Sequence, residues 1–367
     1  MKNNPKSNPN LKGNRMNQGG SLVEEVLERN REQSAIFRSP AAYMARKYYR
    51  ALHPTEILWF KCMDGRLHGP VITETPVGII QPFRNLAGTF DLGWGYLADL
   101  FLQWVTYAVD RGRRCLPFIT YHWSKSDVHK GCKGHGYDVG KAKTEAGVLV
   151  RSIERAFGRD HQVVYPIMVG IETDEDAMVL HGVSNQMFNL ADELDTPIDE
   201  LKEKLRLLYP DMHTQMVIDL FALVEGNIRH IRFLRANPRP IEQTMHGEQI
   251  IAIGRGFDWL HWQNRALIIG PFPYDVAGPI ETAANIVLEN IQKGLVPQED
   301  GALLMTSGVY RQPTGPESIM AEDKASSLER FALSVIQKRV PDLYPHLHVL
   351  SGTVDMGTRL FTPLKIK

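Results

Sequence analysis

The sequence EILWFKCMDGRL (56–67) is the natural starting point, because a largely apolar run leads directly into a cluster of reactive side chains. Near-continuous apolar residues are typical of a strand that is buried on both faces of a parallel sheet. Cys62, Asp64 and Arg66 follow at the end of that run. Because α/β folds place their sites at the carboxyl ends of parallel strands, we expect a functional site immediately after this strand.

The segments around this strand alternate between strand-like and helical patterns. Strand-like runs occur at IIQPF (79–83), CLPFITYH (115–122) and VVYPIMVGIET (163–173). Helical patterns occur at YLADLFLQWVTYAVDR (96–111) and EAGVLVRSIERAF (145–157). Strands that alternate with helices predict an α/β fold with a mostly parallel central sheet.

Further helical patterns flank this region on both sides. Ser21 begins a capping-box pattern, and residues 41–52 predict a second helix that ends before Pro54. Residues 186–237 are helical in pattern, and ANPRP (236–240) is typical of a linker. We therefore expect a helical segment before the sheet and another after it.

The last third of the chain repeats the order of elements of the middle third. IIGPFPYDVAG (268–278) echoes IIQPFRNLAG (79–88) through a shared I-I-x-P-F and a closing A-G. The other elements of this second copy are QIIAIGRGF (249–257), ETAANIVLENIQ (281–292), ALLMTSGVY (302–310), SLERFALSVIQKRV (327–340) and LSGTVDMGTRLF (350–361). Elements that recur in the same order predict an internal duplication.

The charge balance and hydropathy exclude several classes of protein. The 367 residues carry 42 basic and 42 acidic side chains, which argues against nucleic-acid binding as the main function. No apolar run approaches the roughly 20 residues of a membrane helix, and no secretory signal precedes the fold, so we expect a cytoplasmic protein. Residues 1–21 are rich in Asn, Gly, Pro and Lys, and we expect a disordered basic tail there.

A second polar cluster, YHWSKSDVHKGCKGHG (121–136), begins where another apolar strand ends. Cys62, Cys132 and one histidine of this cluster would supply two thiolates and an imidazole. That set favours zinc and leaves a fourth position open, as catalytic zinc sites do. His122 lies at the end of the strand, whereas His129 has the H-x-x-C spacing to Cys132, so both histidines are candidates.

The motifs of these clusters resemble those of the β-class carbonic anhydrases, which carry C-x-D-x-R, R-N-x-A and H-x-x-C. The first motif runs here from Cys62 to Arg66, and the second is RNLAG (84–88). CMDGRL, YHWSKSD, HKGCKGHGYD and GIETDEDAMVLHG are more specifically similar to the carboxysomal shell branch of that class. The resemblance extends over residues 40–367.

The resemblance implies two β-carbonic-anhydrase-like halves that pack as a fused pseudo-dimer behind a helical N-terminal segment. It implies one zinc ion per chain, because Gly254 and Gly308 fall near the positions of Cys62 and His122 in the second half. It favours His122 over His129, since the β-class histidine stands at a strand end and the branch has an insertion before its second cysteine. The implied ligands are thus Cys62, His122 and the cysteine at position 132.

The implied activity is the reversible hydration of carbon dioxide to bicarbonate by a zinc-bound hydroxide. Asp64 would accept a hydrogen bond from that hydroxide and Arg66 would hold Asp64, or Asp64 would take the fourth zinc position in a resting form. The alternatives are hydrolysis of carbon disulfide or carbonyl sulfide, and a non-catalytic carboxysome-associated scaffold with a structural zinc. Asp64 and Arg66 argue against the scaffold, because a structural site needs neither.

We divide the chain into a disordered tail (1–21), a helical N-terminal segment (22–54), a catalytic zinc-binding domain with a helical extension (55–240) and a degenerate second copy (241–367). The expected small-molecule partners are carbon dioxide and bicarbonate. We also expect a homo-oligomer and a contact of the basic tail with Rubisco or a shell protein, without nucleic acid or membrane. The implied setting is carbon dioxide fixation inside a carboxysome, a bacterial microcompartment.

Overall fold

The architecture consists of two separate, mostly parallel β-sheets with helices packed on them, so the predicted α/β class is confirmed. The computed structural model describes residues 22–158, 160, 162–183, 186–240, 246–262, 264–297 and 300–364. The basic tail predicted for residues 1–21 therefore lies outside the described residues.

The helices and strands are numbered in chain order. The helices are α1 (Leu22–Arg38), α2 (Pro40–Leu52), α3 (Gly69–Ile72), α4 (Gly95–Val109), α5 (Val139–Phe157), α6 (Ile198–Leu208), α7 (Thr214–Ala236), α8 (Ala277–Gln292) and α9 (Pro316–Arg339). The first sheet contains β1 (Glu56–Cys62), β2 (Ile80–Asn85), β3 (Cys115–Trp123), β4 (Ile167–Glu172), β5 (Ala177–His181) and β6 (Met187–Asn189). The second contains β7 (Ile250–Gly254), β8 (Ala266–Ile269), β9 (Ala302–Tyr310), β10 (Leu347–Asp355) and β11 (Phe361–Pro363).

Strand β1 is buried along its whole length, as its apolar run predicts. Ile57 and Trp59 belong to one hydrophobic cluster, whereas Leu58 and Phe60 belong to another. Because successive side chains of a strand point to opposite faces, the two clusters lie on opposite sides of the sheet. The sheet is therefore covered on both faces, as parallel sheets are.

The two sheets have the same strand order. The first runs β2-β1-β3-β4-β5-β6, and the second runs β8-β7-β9-β10-β11. In each, the first three neighbouring pairs are parallel, and the next pair, β4 with β5 or β10 with β11, is antiparallel. This shared topology is what duplicated halves require.

Strands β3 and β9 can be aligned residue by residue, because each makes an equivalent main-chain hydrogen bond at its last residue. The main-chain oxygens of Trp123 and Tyr310 each accept an N–H bond, at 2.8 Å, from the residue just beyond the neighbouring strand. On this alignment Val309 takes the place of His122, one residue beyond the expected Gly308. The second copy thus has an aliphatic side chain where the first has an imidazole.

The same alignment corrects the register that the I-I-x-P-F match gave for the two halves of the chain. The pairing registers extend the alignment of β3 with β9 to the neighbouring strands. Ile253 then corresponds to Phe60, and Ile269 corresponds to Phe83. The I-I-x-P-F match had aligned Ile269 with Ile80, three residues away. Buried strands rich in isoleucine match one another in several registers, so the motif indicated the repeat but not its register.

The two sheets meet where β2 faces β8. The Ile268 N–H donates to the Met63 oxygen at 2.8 Å, and the Gly270 N–H donates to the Arg84 oxygen at 2.9 Å. Asp64 forms an antiparallel bridge in the same region. The second copy therefore lies directly against the turn that carries Asp64.

Equivalent buried asparagines attach one helix to each sheet. Asn227 of α7 donates to the Asp176 oxygen at 2.8 Å and accepts, at 2.9 Å, from the main-chain N–H two residues further on. Asn30 of α1 donates to the Arg359 oxygen at 3.0 Å and accepts, at 2.7 Å, from the corresponding N–H. Asp176 and Arg359 both have positive φ, 55° and 62°. Helix α1 is thus anchored to the second sheet by the same asparagine contacts that anchor α7 to the first.

Several element boundaries differ from those predicted. The helical prediction for 186–237 is wrong in its first part, because Met187–Asn189 adds the short antiparallel strand β6 to β5. Three residues are too few to give a periodic pattern. Helix α5 begins at Val139, where the Asp138 side chain caps it, and α9 begins at Pro316, eleven residues before the expected start.

Candidate metal centre

Three buried side chains converge at the carboxyl ends of β1 and β3. Cys62 is the last residue of β1, and His122 is the penultimate residue of β3. Cys132 comes from the following loop, between two short 3-10 turns. One ligand atom from each of these residues lies within 4.8 Å of the others, and all three residues are buried. Parallel neighbours in the sheet bring the strand ends together, as the position of the motifs predicts.

The two cysteines of this group are close but not bonded. Their sulfurs are 4.0 Å apart, and both thiols are free. The hydrogen bond from Cys62 lowers the pKa of the Cys132 thiol, and main-chain N–H groups of His135 and Gly134 lower it further against the effect of burial. A thiol that ionises easily is suited to metal binding, because the thiolate is the ligand form.

The imidazole of His122 supplies a direct test of whether the residues suit a metal. The side chain is 2% exposed, and neither ring nitrogen has a hydrogen-bond partner among the described residues. Buried polar atoms nearly always have a partner, so two unpartnered nitrogens beside two thiols indicate an absent ligand. Two sulfurs and an imidazole nitrogen fit zinc and leave room for a fourth ligand.

Asp64 and Arg66 form a buried ion pair beside this group. Arg66 Nη2 lies 2.7 Å from Asp64 Oδ2, and Nε lies 3.1 Å from both carboxylate oxygens. Burial by itself would raise the pKa of Asp64, but the Arg66 charge outweighs it and holds that pKa well below its usual range. Asp64 therefore stays a carboxylate, that is, a hydrogen-bond acceptor only.

Arg66 also joins the turn after β1 to the loop that carries Cys132. Its Nη2 donates to the Lys130 oxygen at 2.6 Å. One guanidinium thus positions the Asp64 carboxylate and the backbone two residues before Cys132. This second contact was not predicted from the sequence, because 64 residues separate the two partners.

The RNLAG segment packs closely around the ends of both strands. Ala87 has a φ of 60°, and a Cβ on Gly88 would lie 3.0 Å from the Thr120 oxygen and 3.3 Å from the Cys62 nitrogen. A Cβ on Gly134 would lie 2.8 Å from the Ala87 methyl group. The glycines therefore permit the close approach that places an apolar wall beside the cysteine loop.

The other sequence candidates lie outside the three-residue group. The His129 side chain is 75% exposed, and its Nδ1 lies 3.2 Å from Asp127. The His135 Nε2 lies 3.0 Å from the main-chain oxygen of Ala87. Cys115 is buried in the hydrophobic core, and burial followed by the Glu56 charge raises its pKa to about 12.

A polar pair from the second copy approaches the site and was missed by sequence reasoning. His246 Nδ1 lies 2.8 Å from Glu248, and its Nε2 lies 3.2 Å from the His129 oxygen. Burial lowers the pKa of His246, but Glu248 outweighs burial, so the net shift is upward. The charges of Asp64 and Arg66 also act on it. No motif surrounds this pair in the sequence, and only folding brings it near β1.

Comparison with known proteins shows a similarity over part of the chain. Residues 53–196 match a sequence model described as the catalytic domain of the carboxysome shell carbonic anhydrases. None of the curated proteins compared with the chain matched it. No helix among the described residues is both long enough and apolar enough to cross a membrane.

The match spans the converging cysteines and histidine together with Asp64 and Arg66. It confirms the resemblance stated from the motifs, and with it the enzyme class, a lyase. The family also supports an association with the carboxysome. Over residues 53–196, the chain is therefore similar to the catalytic domain of the carboxysome shell carbonic anhydrases.

Proposed function

We propose that this protein is a zinc-dependent carbonic anhydrase that holds one zinc ion at Cys62, His122 and Cys132. The observation that carries the proposal is the buried His122 imidazole, whose two nitrogens have no partner among the described residues and which lies beside two free thiols. A zinc ion bound there supplies Lewis acidity, which lets a water molecule ionise near neutral pH.

The protein side chains orient the reacting groups. Asp64, fixed by Arg66, accepts a hydrogen bond from the attacking water and so directs its lone pair at carbon dioxide. The apolar surface of Leu86 and Ala87 beside Gly134 gives carbon dioxide a place to lie. The product of the attack is bicarbonate. Nothing in the site or the family match favours the sulfur-compound hydrolase or the scaffold.

The test combines zinc content with stopped-flow carbon dioxide hydration. Cys62→Ser and Cys132→Ser should each lose zinc and activity. Cys115→Ala is the matched control, because it removes the third buried thiol, which lies outside the group. Wild-type protein that holds about one zinc ion but does not hydrate carbon dioxide would refute the activity. Zinc retained in both serine variants would refute the ligand set.

We propose further that 55–240 is the catalytic domain with its helical extension and that 241–367 is a copy without zinc ligands. All three cysteines precede residue 241, which supports this division. Rubisco or shell-protein binding by residues 1–21, and a homo-oligomer, are part of the same proposal. Removal of the tail should weaken co-sedimentation with either partner and leave hydration unchanged.

A further inference from the structure

A cavity of about 360 Å³ lies between the N-terminal helices and the second copy, and none of its lining residues belongs to the metal centre. Its lining comes from α1 and α2, from the loop at residues 74–77, and from Trp259 and Arg359 of the second copy. The volume falls within the roughly 300–1,000 Å³ of pockets that hold small organic ligands. The proposed reaction uses none of these residues.

The wall that α1 contributes is firmly attached to the second copy. Ser34 donates to the Thr358 oxygen at 2.8 Å, one turn from the Asn30 contacts to Arg359. Both Asn30 and Ser34 are almost fully buried. Because these bonds fix the backbone on either side of Arg359, the cavity is a built feature of the fold.

Two buried N–H donors of the lining have no acceptor. Trp259 is 2% exposed and Arg359 is 8% exposed, yet Trp259 Nε1 and Arg359 Nε lack a partner among the described residues. Both residues line the cavity, and both atoms can only donate.

The charges of the lining leave one cation without a counter-ion. Arg359 pairs with Asp258 at 3.3 Å, and Glu74 pairs with Arg229 at 2.7 Å. Arg46 is 9% exposed and forms no ion pair among the described residues; its guanidinium donates to the Phe37 oxygen. Burial, then the charges of Arg50 and Arg359, lower the pKa of Arg46.

The first copy provides an internal comparison. Asp176, the counterpart of Arg359, binds Arg239 and lies 2.9 Å from His230 Nε2. The first copy therefore fills this place with its own acid and base. The second copy has an arginine at this position, paired with Asp258 at 3.3 Å, and a cavity beside it.

Apolar side chains form the rest of the lining. Phe37, Ala42, Ala45 and Val77 are among them, and the Phe37 ring lies 3.8 Å from the Arg46 guanidinium. A small inorganic anion would leave these side chains in contact with water. A ligand with an apolar body would cover them.

We propose that this cavity binds a small organic carboxylate, with its carboxylate at Arg46 and Arg359 and its apolar body against Phe37 and Val77. One carboxylate balances the one cation of the lining that has no counter-ion among the described residues. This ligand site is separate from the metal centre and does not depend on the proposed hydration activity.

The proposal is tested by calorimetric titration of the zinc-loaded full chain with octanoate. We expect saturable one-to-one binding of octanoate. 1-Octanol, which lacks the carboxylate, and acetate, which lacks the long alkyl chain, should both bind much more weakly. Arg46→Met should weaken octanoate binding roughly tenfold or more, because it removes a charged donor. Lys47→Met is the matched control on the exposed side of α2, and binding there should change by less than about twofold.

A second variant tests the site independently, in case Arg46→Met does not fold. Ala45→Phe fills the cavity and should abolish octanoate binding while zinc content and hydration stay at wild-type levels. Absence of saturable binding to the wild type would overturn the proposal. So would equal binding of octanol and octanoate, full displacement by inorganic phosphate, or unchanged affinity in folded Arg46→Met and Ala45→Phe.

Discussion

Replacement of Arg66 by glutamine tests the buried ion pair at the centre of the proposed mechanism. The guanidinium makes three side-chain contacts to Asp64 of 2.7 to 3.1 Å, and it donates to the Lys130 oxygen at 2.6 Å. Both side chains of the pair are less than 10% exposed. Arg66→Gln would therefore leave a carboxylate charge buried without its counter-ion.

The size of the effect follows from that burial. Breaking a buried pair from one side costs about 3–5 kcal/mol, which is a large part of the 5–15 kcal/mol that stabilises a typical domain. Adding Asp64→Asn to Arg66→Gln removes the carboxylate charge that has lost its counter-ion. The double variant should therefore recover part of the lost free energy of unfolding. Turnover should fall roughly 10–100-fold in Arg66→Gln, because the group that orients the attacking water is no longer held.

Urea unfolding of the two single variants and the double variant measures the coupling free energy between the side chains. Arg31→Gln is the control, since it removes one partner of the exposed pair with Glu28, in which both side chains are 58% exposed. Its free energy of unfolding should fall by less than about 1 kcal/mol. If Arg66→Gln lost no more than Arg31→Gln, or kept wild-type turnover, the reasoning would be refuted.

Three further predictions concern the ligand, the helix contacts and pH. His122→Ala should lose zinc and His129→Ala should keep it, as metal analysis would show; the opposite result would make His129 the ligand. Asn30→Ala and Asn227→Ala should each lower the free energy of unfolding by about 2–4 kcal/mol in urea, because each leaves buried main-chain groups unpaired; a loss below about 1 kcal/mol would contradict the equivalence. Burial, then the charge of a nearby lysine, lowers the pKa of His181 from 6.5 to about 4, so the unfolded chain binds more protons between those values and stability should fall as pH drops through that window. His181→Gln should flatten this loss in urea titrations near pH 7 and pH 5, and an unchanged slope would exclude His181 as its source.

The apolar pattern was sufficient to predict the strands around the site. The run before Cys62 forms β1, and the run from Cys115 forms β3. Buried parallel strands are near-continuous in apolar residues, so composition identifies them. Register is less well specified by such runs, which is why the I-I-x-P-F match was displaced by three residues.

The histidine could not be assigned from spacing alone. His129 and Cys132 have the simpler H-x-x-C spacing, and only the position of His122 at a strand end, together with the family resemblance, argued for the other choice. The structure places the His122 ring within the group of thiols and leaves His129 on the surface. A short loop spacing specifies which residues are near each other in the chain, whereas the direction of a side chain depends on the strand that carries it.

The amino-acid sequence specified the local features of this protein: its alternating strands and helices, the two reactive clusters at strand ends, and the repeat. Local pattern suffices for these, because burial and chain spacing act over a few residues. Three contacts could be seen only in the folded chain: the hydrogen bond of Arg66 to the Lys130 backbone, the approach of His246 to the site, and the hydrogen bond of Asn30 to the Arg359 backbone. These contacts join residues separated by 64 to 329 positions, and such distances close only when strands and helices from distant parts of the chain assemble.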